Sequence, residues 1–134
     1  MTKLITKEQA AQLLKNGVES QNSDGSLDRA PVVKLFTPDA QCTWLLSELD
    51  PCEPTQAFGL CDLGQGYPEL GYVSLSELSS VHGPMGLHVE RDNWFVATQP
   101  MCVYAEAARR AERIVEDDRH LVEAAAALAA RGRA

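Results

Sequence analysis

The stretch PVVKLFTPDAQCTWLLSELDPCEPTQAFGLCDLGQGYPELGYVSLSEL, residues 31–78, decides the fold of this chain. Short runs rich in β-branched and aromatic residues alternate there with turn signals such as Thr-Pro, Asp-Pro and Gly-Gln-Gly. The connections between the runs are too short for parallel crossovers, which need a dozen or more residues. The stretch therefore predicts an antiparallel meander, and we expect one more strand between Leu87 and Trp94.

Helical patterns flank this predicted sheet. Thr6 and Gln9 fit a capping box, and the apolar face that follows ends at Gly17, which predicts a helix over residues 7–16. The tail, residues 101–131, is Ala-rich with apolar residues at helical spacing, and its pattern favours a break near residues 116–118. Glu106 is expected to pair with Arg110, one helical turn away.

We therefore predict an α+β fold, a mostly antiparallel sheet of four to five strands flanked by an N-terminal helix and a long Ala-rich C-terminal helix. At this length a single domain over residues 1–134 is expected, with about 117–134 as a helical extension. The predicted core is Leu13, Val33, Phe36, Trp44, Leu46, Phe58, Leu60, Tyr72, Val73, Leu75 and Phe95.

The composition is that of a globular protein, with 45% hydrophobic and 23% charged residues. No run approaches the ~18 apolar residues of a membrane span, and the N-terminus lacks the apolar core of a signal peptide. These features predict a soluble, cytoplasmic protein.

The charge is distributed unevenly along the chain. Residues 35–90 contain no Lys or Arg and eight acidic residues, whereas the flanking segments are close to neutral, so this middle segment carries the net charge of −7. Such a segment repels nucleic acid and attracts a basic partner, although an ordinary solvated surface is the simpler interpretation. No direct nucleic-acid binding is expected, because a basic patch is missing. The candidate partner-binding residues are Asp39, Glu48, Asp50, Asp62, Glu69 and Glu77.

Sequence motifs for catalysis, metal binding or nucleotide binding are weak in this chain. Cys42, Cys52, Cys61 and Cys102 show no Cys-x-x-Cys spacing, and those beside predicted strands are expected to be small buried hydrophobes. His82 and His88 fit two exposed residues around a Gly-Pro turn better than metal ligands. Gly64-Gln65-Gly66 lacks the helix that a nucleotide-binding loop requires. We therefore assign no catalytic residue, metal ligand or cofactor.

Five blocks in a fixed order carry a resemblance to a known family. The chain resembles the bacterial domain-of-unknown-function family 2958 over roughly residues 3–115. The blocks are PVVKLFTPDA (31–40), TWLLSELDP (43–51), FGLCDLG (58–64), PELGYVSL (68–75) and ERD (90–92). The resemblance implies a passenger of plasmids, integrative elements or phages, and it carries no established activity, cofactor or catalytic residue.

Two functions from different classes follow. The first is a non-catalytic protein-binding accessory of a mobile genetic element, whose acidic surface engages a basic host defence or DNA-processing complex as an anti-defence inhibitor or nucleic-acid mimic. The alternative is a small metal-assisted hydrolase or nucleic-acid-modifying enzyme that uses Asp62, Glu69 and Glu90 as clustered carboxylates. A homodimer through the small-residue stripe of the C-terminal helix is a further hypothesis.

Overall fold

The computed structural model describes residues 4–23 and 27–132. Its strands are β1 (Val33–Phe36), β2 (Thr43–Leu49), β3 (Gln56–Asp62), β4 (Glu69–Ser74) and β5 (Glu90–Arg91). Its helices are α1 (Lys7–Gln21), α2 (Leu75–Ser80), α3 (Met101–Ala111) and α4 (Asp118–Gly132). The predicted α+β class is confirmed.

The five strands form one antiparallel sheet in the order β4-β3-β2-β1-β5. The predicted meander over residues 31–78 is confirmed, but the strand expected between Leu87 and Trp94 shrinks to the two residues of β5. The Asp92 N–H still donates to the Lys34 carbonyl at 2.9 Å, and the Asp92 carboxylate then accepts from the Trp94 N–H at 2.9 Å. This local turn ends the pairing, which periodicity alone did not indicate.

Helix α1 begins at the predicted capping box and runs five residues further than predicted. The Thr6 hydroxyl accepts from the Gln9 N–H at 3.0 Å, and the Gln9 side chain accepts from the Thr6 N–H at 2.9 Å. Gly17 does not stop the helix. A Cβ at this position would lie 1.8 Å from the Leu49 carbonyl oxygen, so the glycine lets the helix backbone touch β2.

A bulge in β2 is bound to the same helix. The register with β3 shifts between Leu46 and Glu48, which makes Ser47 the extra residue. The buried Asn16 amide of α1 donates to the Ser47 carbonyl at 2.9 Å and accepts from Gln12 at 2.8 Å. The helix therefore satisfies a backbone group that the irregular ladder leaves unpaired.

Helices cover both faces of the sheet and create two cores. One core packs α1 and α2 on the sheet around Leu13, Trp44 and Leu46, and the other packs α3 and α4 around Leu45 and Leu60. A central strand that is covered on both faces contains a continuous run of buried residues, as β2 does at residues 44–47.

The predicted core is correct for most of its residues. Phe36, Phe58, Val73 and Phe95 are only half-buried, and Tyr72 is 62% exposed, so its assignment to the core was wrong. Tyr72 lies on β4, the edge strand, where no described neighbour covers its ring completely.

The Ala-rich tail forms two helices, as the break near residues 116–118 predicted. Its small residues pack inside the chain, because Leu121 and Ala124 of α4 are buried against α3. Glu106 does not use Arg110. Its carboxylate, 6% exposed, binds Arg109 at 2.7 Å and Arg131 of α4 at 2.7 Å. These two ion pairs lower the pKa of Glu106 from 4.5 to about 2, against the opposing effect of burial.

Within the described part of the chain, none of the helices combines the length and the apolar character needed to cross a membrane.

Candidate partner-binding surface

The six acidic residues proposed from the sequence do not form one cluster. Asp39, Asp62 and Glu69 lie in or beside the turns at one end of the sheet. Asp50 and Glu77 lie at the opposite end, where the β2–β3 hairpin meets the start of α2. The seven-residue strand β2 separates these two ends by about 20 Å. The six residues therefore lie at both ends of the sheet, and their use by a partner stays a prediction.

Asp39 holds a loop rather than projecting from the surface. Its Oδ2 accepts from the Met85 N–H at 2.7 Å, and its carboxylate lies so close to Gly83 that a Cβ there would be 1.8 Å from Oδ1. The carboxylate therefore fixes the loop between α2 and β5 to the β1–β2 turn.

Asp62 is the clearest correction to the predicted surface, because it is only 4% exposed. Its Oδ1 accepts from the Gly64 N–H at 2.9 Å, and its Oδ2 accepts from the Ile114 N–H at 2.9 Å. One carboxylate thus joins the β3–β4 turn to the segment between α3 and α4. Neither oxygen is available to a partner, so Asp62 does not belong to the surface.

Asp50 and Glu48 also have intramolecular partners. Asp50 Oδ1 accepts from the Cys52 N–H at 2.9 Å within the β2–β3 turn. The Glu48 carboxylate accepts from the Ser20 hydroxyl at 2.6 Å and remains half-buried. Both keep their charge near the surface, but neither side chain is free to follow a partner.

The remaining candidates flank β4 and are open to solvent. Glu69 begins the strand, and Glu77 lies in the first turn of α2, three residues beyond its end. Glu53, in the neighbouring hairpin, is also exposed. Within residues 4–23 and 27–132, none of these three carboxylates forms an ion pair. We call Glu53, Glu69 and Glu77 the acidic edge.

A groove with both apolar and polar lining residues, Glu48 and Asp28 among the polar ones, lies beside the acidic edge on the face of the sheet that carries α3. Leu70 and Tyr72 of β4 project into it, and the Phe58 ring meets the Tyr72 ring edge to face, with centroids 5.2 Å apart. The groove has a volume of about 330 Å³ and reaches Leu27 and the start of α3. We call this the β4 groove. The sequence analysis missed it because Tyr72 and Phe58 were assigned to the core.

The rim of the β4 groove carries few free polar groups. Arg29 pairs with Glu19 at 2.9 Å, and the Asp28 carboxylate accepts from the Cys102 N–H at 3.0 Å, which caps the start of α3. Desolvation, followed by the effect of Asp28, raises the pKa of the Cys102 thiol to about 11. The thiol is therefore protonated at neutral pH and is not an activated nucleophile.

The other three cysteines differ in their exposure. Cys42 and Cys61 are half-buried, as expected beside strands, and burial raises the pKa of Cys61 to about 11. Cys52 is exposed in the β2–β3 turn, so its prediction as a buried hydrophobe was wrong.

The three carboxylates proposed for an enzyme do not meet. Glu69 lies on β4 and Glu90 on β5, the two opposite edges of the sheet, about 19 Å apart across four strand spacings. Asp62 is buried, and both of its carboxylate oxygens accept backbone hydrogen bonds. The structure therefore does not assemble an acid–base pair from these residues.

The histidine pair is exposed, as the sequence predicted. His82 and His88 face each other across a short antiparallel bridge, with their rings 6.1 Å apart and nearly perpendicular. In the part of the chain that the structure describes, no three His, Cys, Asp or Glu side chains lie close enough together to hold a metal ion.

The family model described as "Protein of unknown function (DUF2958)" matches residues 4–115, and the chain belongs to that family. The match covers the whole sheet, the acidic edge and the β4 groove and ends before α4 begins. No curated protein and no solved structure matches the chain.

Proposed function

We propose that this member of the family of unknown function 2958 is a protein-binding accessory that presents the acidic edge to a basic surface of a partner. The observation that carries the proposal is that Glu53, Glu69 and Glu77 are exposed, form no ion pair within the described residues, and belong to a segment without any Lys or Arg. Outside this segment, Glu19 pairs with Arg29, and Glu106 pairs with Arg109. Glu69 and Glu77, by contrast, place negative charge without a paired cation at the two ends of β4.

The partner that we propose is a host defence or DNA-processing complex met by a plasmid or phage in the bacterial cytoplasm. Proteins that bind nucleic acid expose Lys and Arg toward the phosphates, and such a surface also accepts a carboxylate-rich protein. Binding there would block access of nucleic acid without requiring a reaction. The sequence resemblance implies a passenger of plasmids, integrative elements or phages, and this implication motivates the choice of partner.

The test is affinity purification of the tagged chain from a bacterial host with active defence systems, at 50 and 500 mM salt. A basic complex should co-purify in stoichiometric amount at low salt and be released at high salt, because the screening length falls below about 5 Å. A triple variant, Glu53→Lys, Glu69→Lys and Glu77→Lys, should lower recovery of the partner at least tenfold.

The matched control reverses three exposed carboxylates outside the segment, Glu8→Lys, Asp118→Lys and Glu123→Lys, and so changes the net charge equally. This control should retain most of the binding. If both triple variants lose the partner to the same extent, only net charge matters and the acidic edge is not the site. If recovery is indifferent to salt and to both variants, the proposed function is wrong.

A further inference from the structure

Strand β4 is an open edge of the sheet. It pairs with β3 on one side, and no described residue forms a backbone ladder on its other side. Half of its backbone N–H and C=O groups therefore face outward over about 17 Å. Exposed edges of this length are usually protected by Lys or Pro, and β4 contains neither between Glu69 and Ser74. The opposite edge is only the two-residue β5.

The two faces of β4 differ in chemistry. Leu70 and Tyr72 point to the face of α3, and they are 48% and 62% exposed. Glu69 shares the other face of β4 with Gly71 and Val73, because residues two apart on a strand point the same way. This face packs toward α1 and α2. A strand added beside β4 would thus meet apolar side chains on one face and a carboxylate on the other.

We infer that an extended segment of the partner, with basic and apolar residues in alternation, adds to the sheet as a sixth strand along β4. Its apolar residues extend the β4 groove next to Leu70 and Tyr72, and its basic residues lie on the face of Glu69, within reach of Glu77. Main-chain hydrogen bonds to the open edge provide affinity, and the alternation provides specificity. This inference rests on the proposed function, which it extends to a binding mode.

Charge decides between a partner segment and a second copy of this chain. A second copy would bring another −7 of net charge and a second acidic edge toward the first. A basic segment instead neutralises Glu69 and Glu77, which have no cation in the described structure. The complementary occupant is therefore a basic strand.

The experiment uses three ten-residue peptides with the full-length chain. One alternates lysine and valine, the second has the same sequence with every backbone nitrogen methylated, and the third alternates glutamate and valine. The first two carry the same charge and the same side chains, but methylation removes every N–H donor on both sides of the strand and so prevents strand addition. Binding is measured by titration with backbone amide NMR, and hydrogen exchange of the β4 amides is followed at saturation.

The lysine–valine peptide should bind at least tenfold more tightly than either other peptide and should slow amide exchange within β4. The double variant Leu70→Lys and Tyr72→Lys should weaken this binding at least tenfold. The matched control, Val96→Lys and Val122→Lys, changes two other exposed apolar residues by the same charge and should lower the affinity far less.

Each alternative result overturns a different statement. Equal, salt-sensitive binding of both lysine peptides overturns strand addition and leaves the proposed function standing. Equal binding of the lysine–valine and glutamate–valine peptides overturns the basic character of the added strand, whereas the proposed function falls only if co-purification is also indifferent to salt and to the triple variant. Concentration-dependent protection of β4 without peptide identifies a second copy as the occupant and refutes the inference. If no peptide binds while the basic complex still co-purifies with the chain, strand addition alone is wrong.

Discussion

Replacement of Asp62 by alanine should destabilise the fold. The change removes the acceptor of two backbone N–H groups, those of Gly64 and Ile114, in a site that is 4% exposed. Hydrogen bonds to a charged acceptor contribute about 1.5 kcal/mol or more each, so we expect a loss of about 3 kcal/mol in the free energy of unfolding. For a chain of this size that loss lowers the Tm by roughly 9 °C.

The series Asp62→Asn and Asp62→Ala tests the geometry as well as the magnitude. Asparagine keeps one oxygen but presents an NH₂ group to the second N–H, so it should lose about half of the alanine effect. Urea denaturation followed by circular dichroism measures both variants. The control Asp50→Ala removes one hydrogen bond in an exposed turn and should cost less than about 1 kcal/mol. If Asp62→Ala lies within about 0.5 kcal/mol of the unchanged protein, the assignment of Asp62 as a structural link is refuted.

Three further outcomes follow from single contacts. Because its folded-state pKa is about 2, Glu106 should contribute about 1–2 kcal/mol to the free energy of unfolding above pH 4.5, and this contribution should be lost as the pH falls toward 2. Glu106→Gln should flatten this pH dependence in urea denaturation at pH 6 and pH 3 and should loosen Arg131. Gly17→Ala should lower the free energy of unfolding by about 2 kcal/mol in the same urea denaturation experiments, since the added Cβ would overlap the Leu49 carbonyl. An unchanged free energy of unfolding would contradict the close contact. The Cys102 thiol, with a pKa of about 11, should react with iodoacetamide at pH 8 roughly a hundredfold more slowly than a free thiol, measured by mass spectrometry; a rate equal to that of glutathione would contradict the pKa.

The sheet could be predicted from the sequence because its signals are local. The turns at Thr37-Pro38 and Asp50-Pro51 and the short connections leave little choice of topology over residues 31–78. The capping box at Thr6 likewise fixed the start of α1. The end of α1 could not be predicted, because Gly17 is a helix stop in isolation and a contact point against Leu49 in the folded chain.

The candidate site depended on contacts that are distant in the sequence. The N–H of Ile114 lies 52 residues from its acceptor Asp62, and no local pattern joins them. Strand order decided the environment of Tyr72, since the same alternation would have buried it on a central strand. Periodicity shows which residues share a face of a strand, but it does not show whether another element covers that face.

The length of the acidic side chains explains how the predicted surface divides. The three aspartates, Asp39, Asp50 and Asp62, all accept backbone N–H groups near turns, which a short side chain reaches without loss of helix or strand geometry. Glu69 and Glu77 have a longer side chain that extends past the local backbone into solvent. The cation-free segment therefore uses its aspartates to shape the turns, whereas Glu53, Glu69 and Glu77 keep their charge exposed at the proposed binding surface. It follows that reversal of the glutamates should change association, whereas replacement of the aspartates should first change folding.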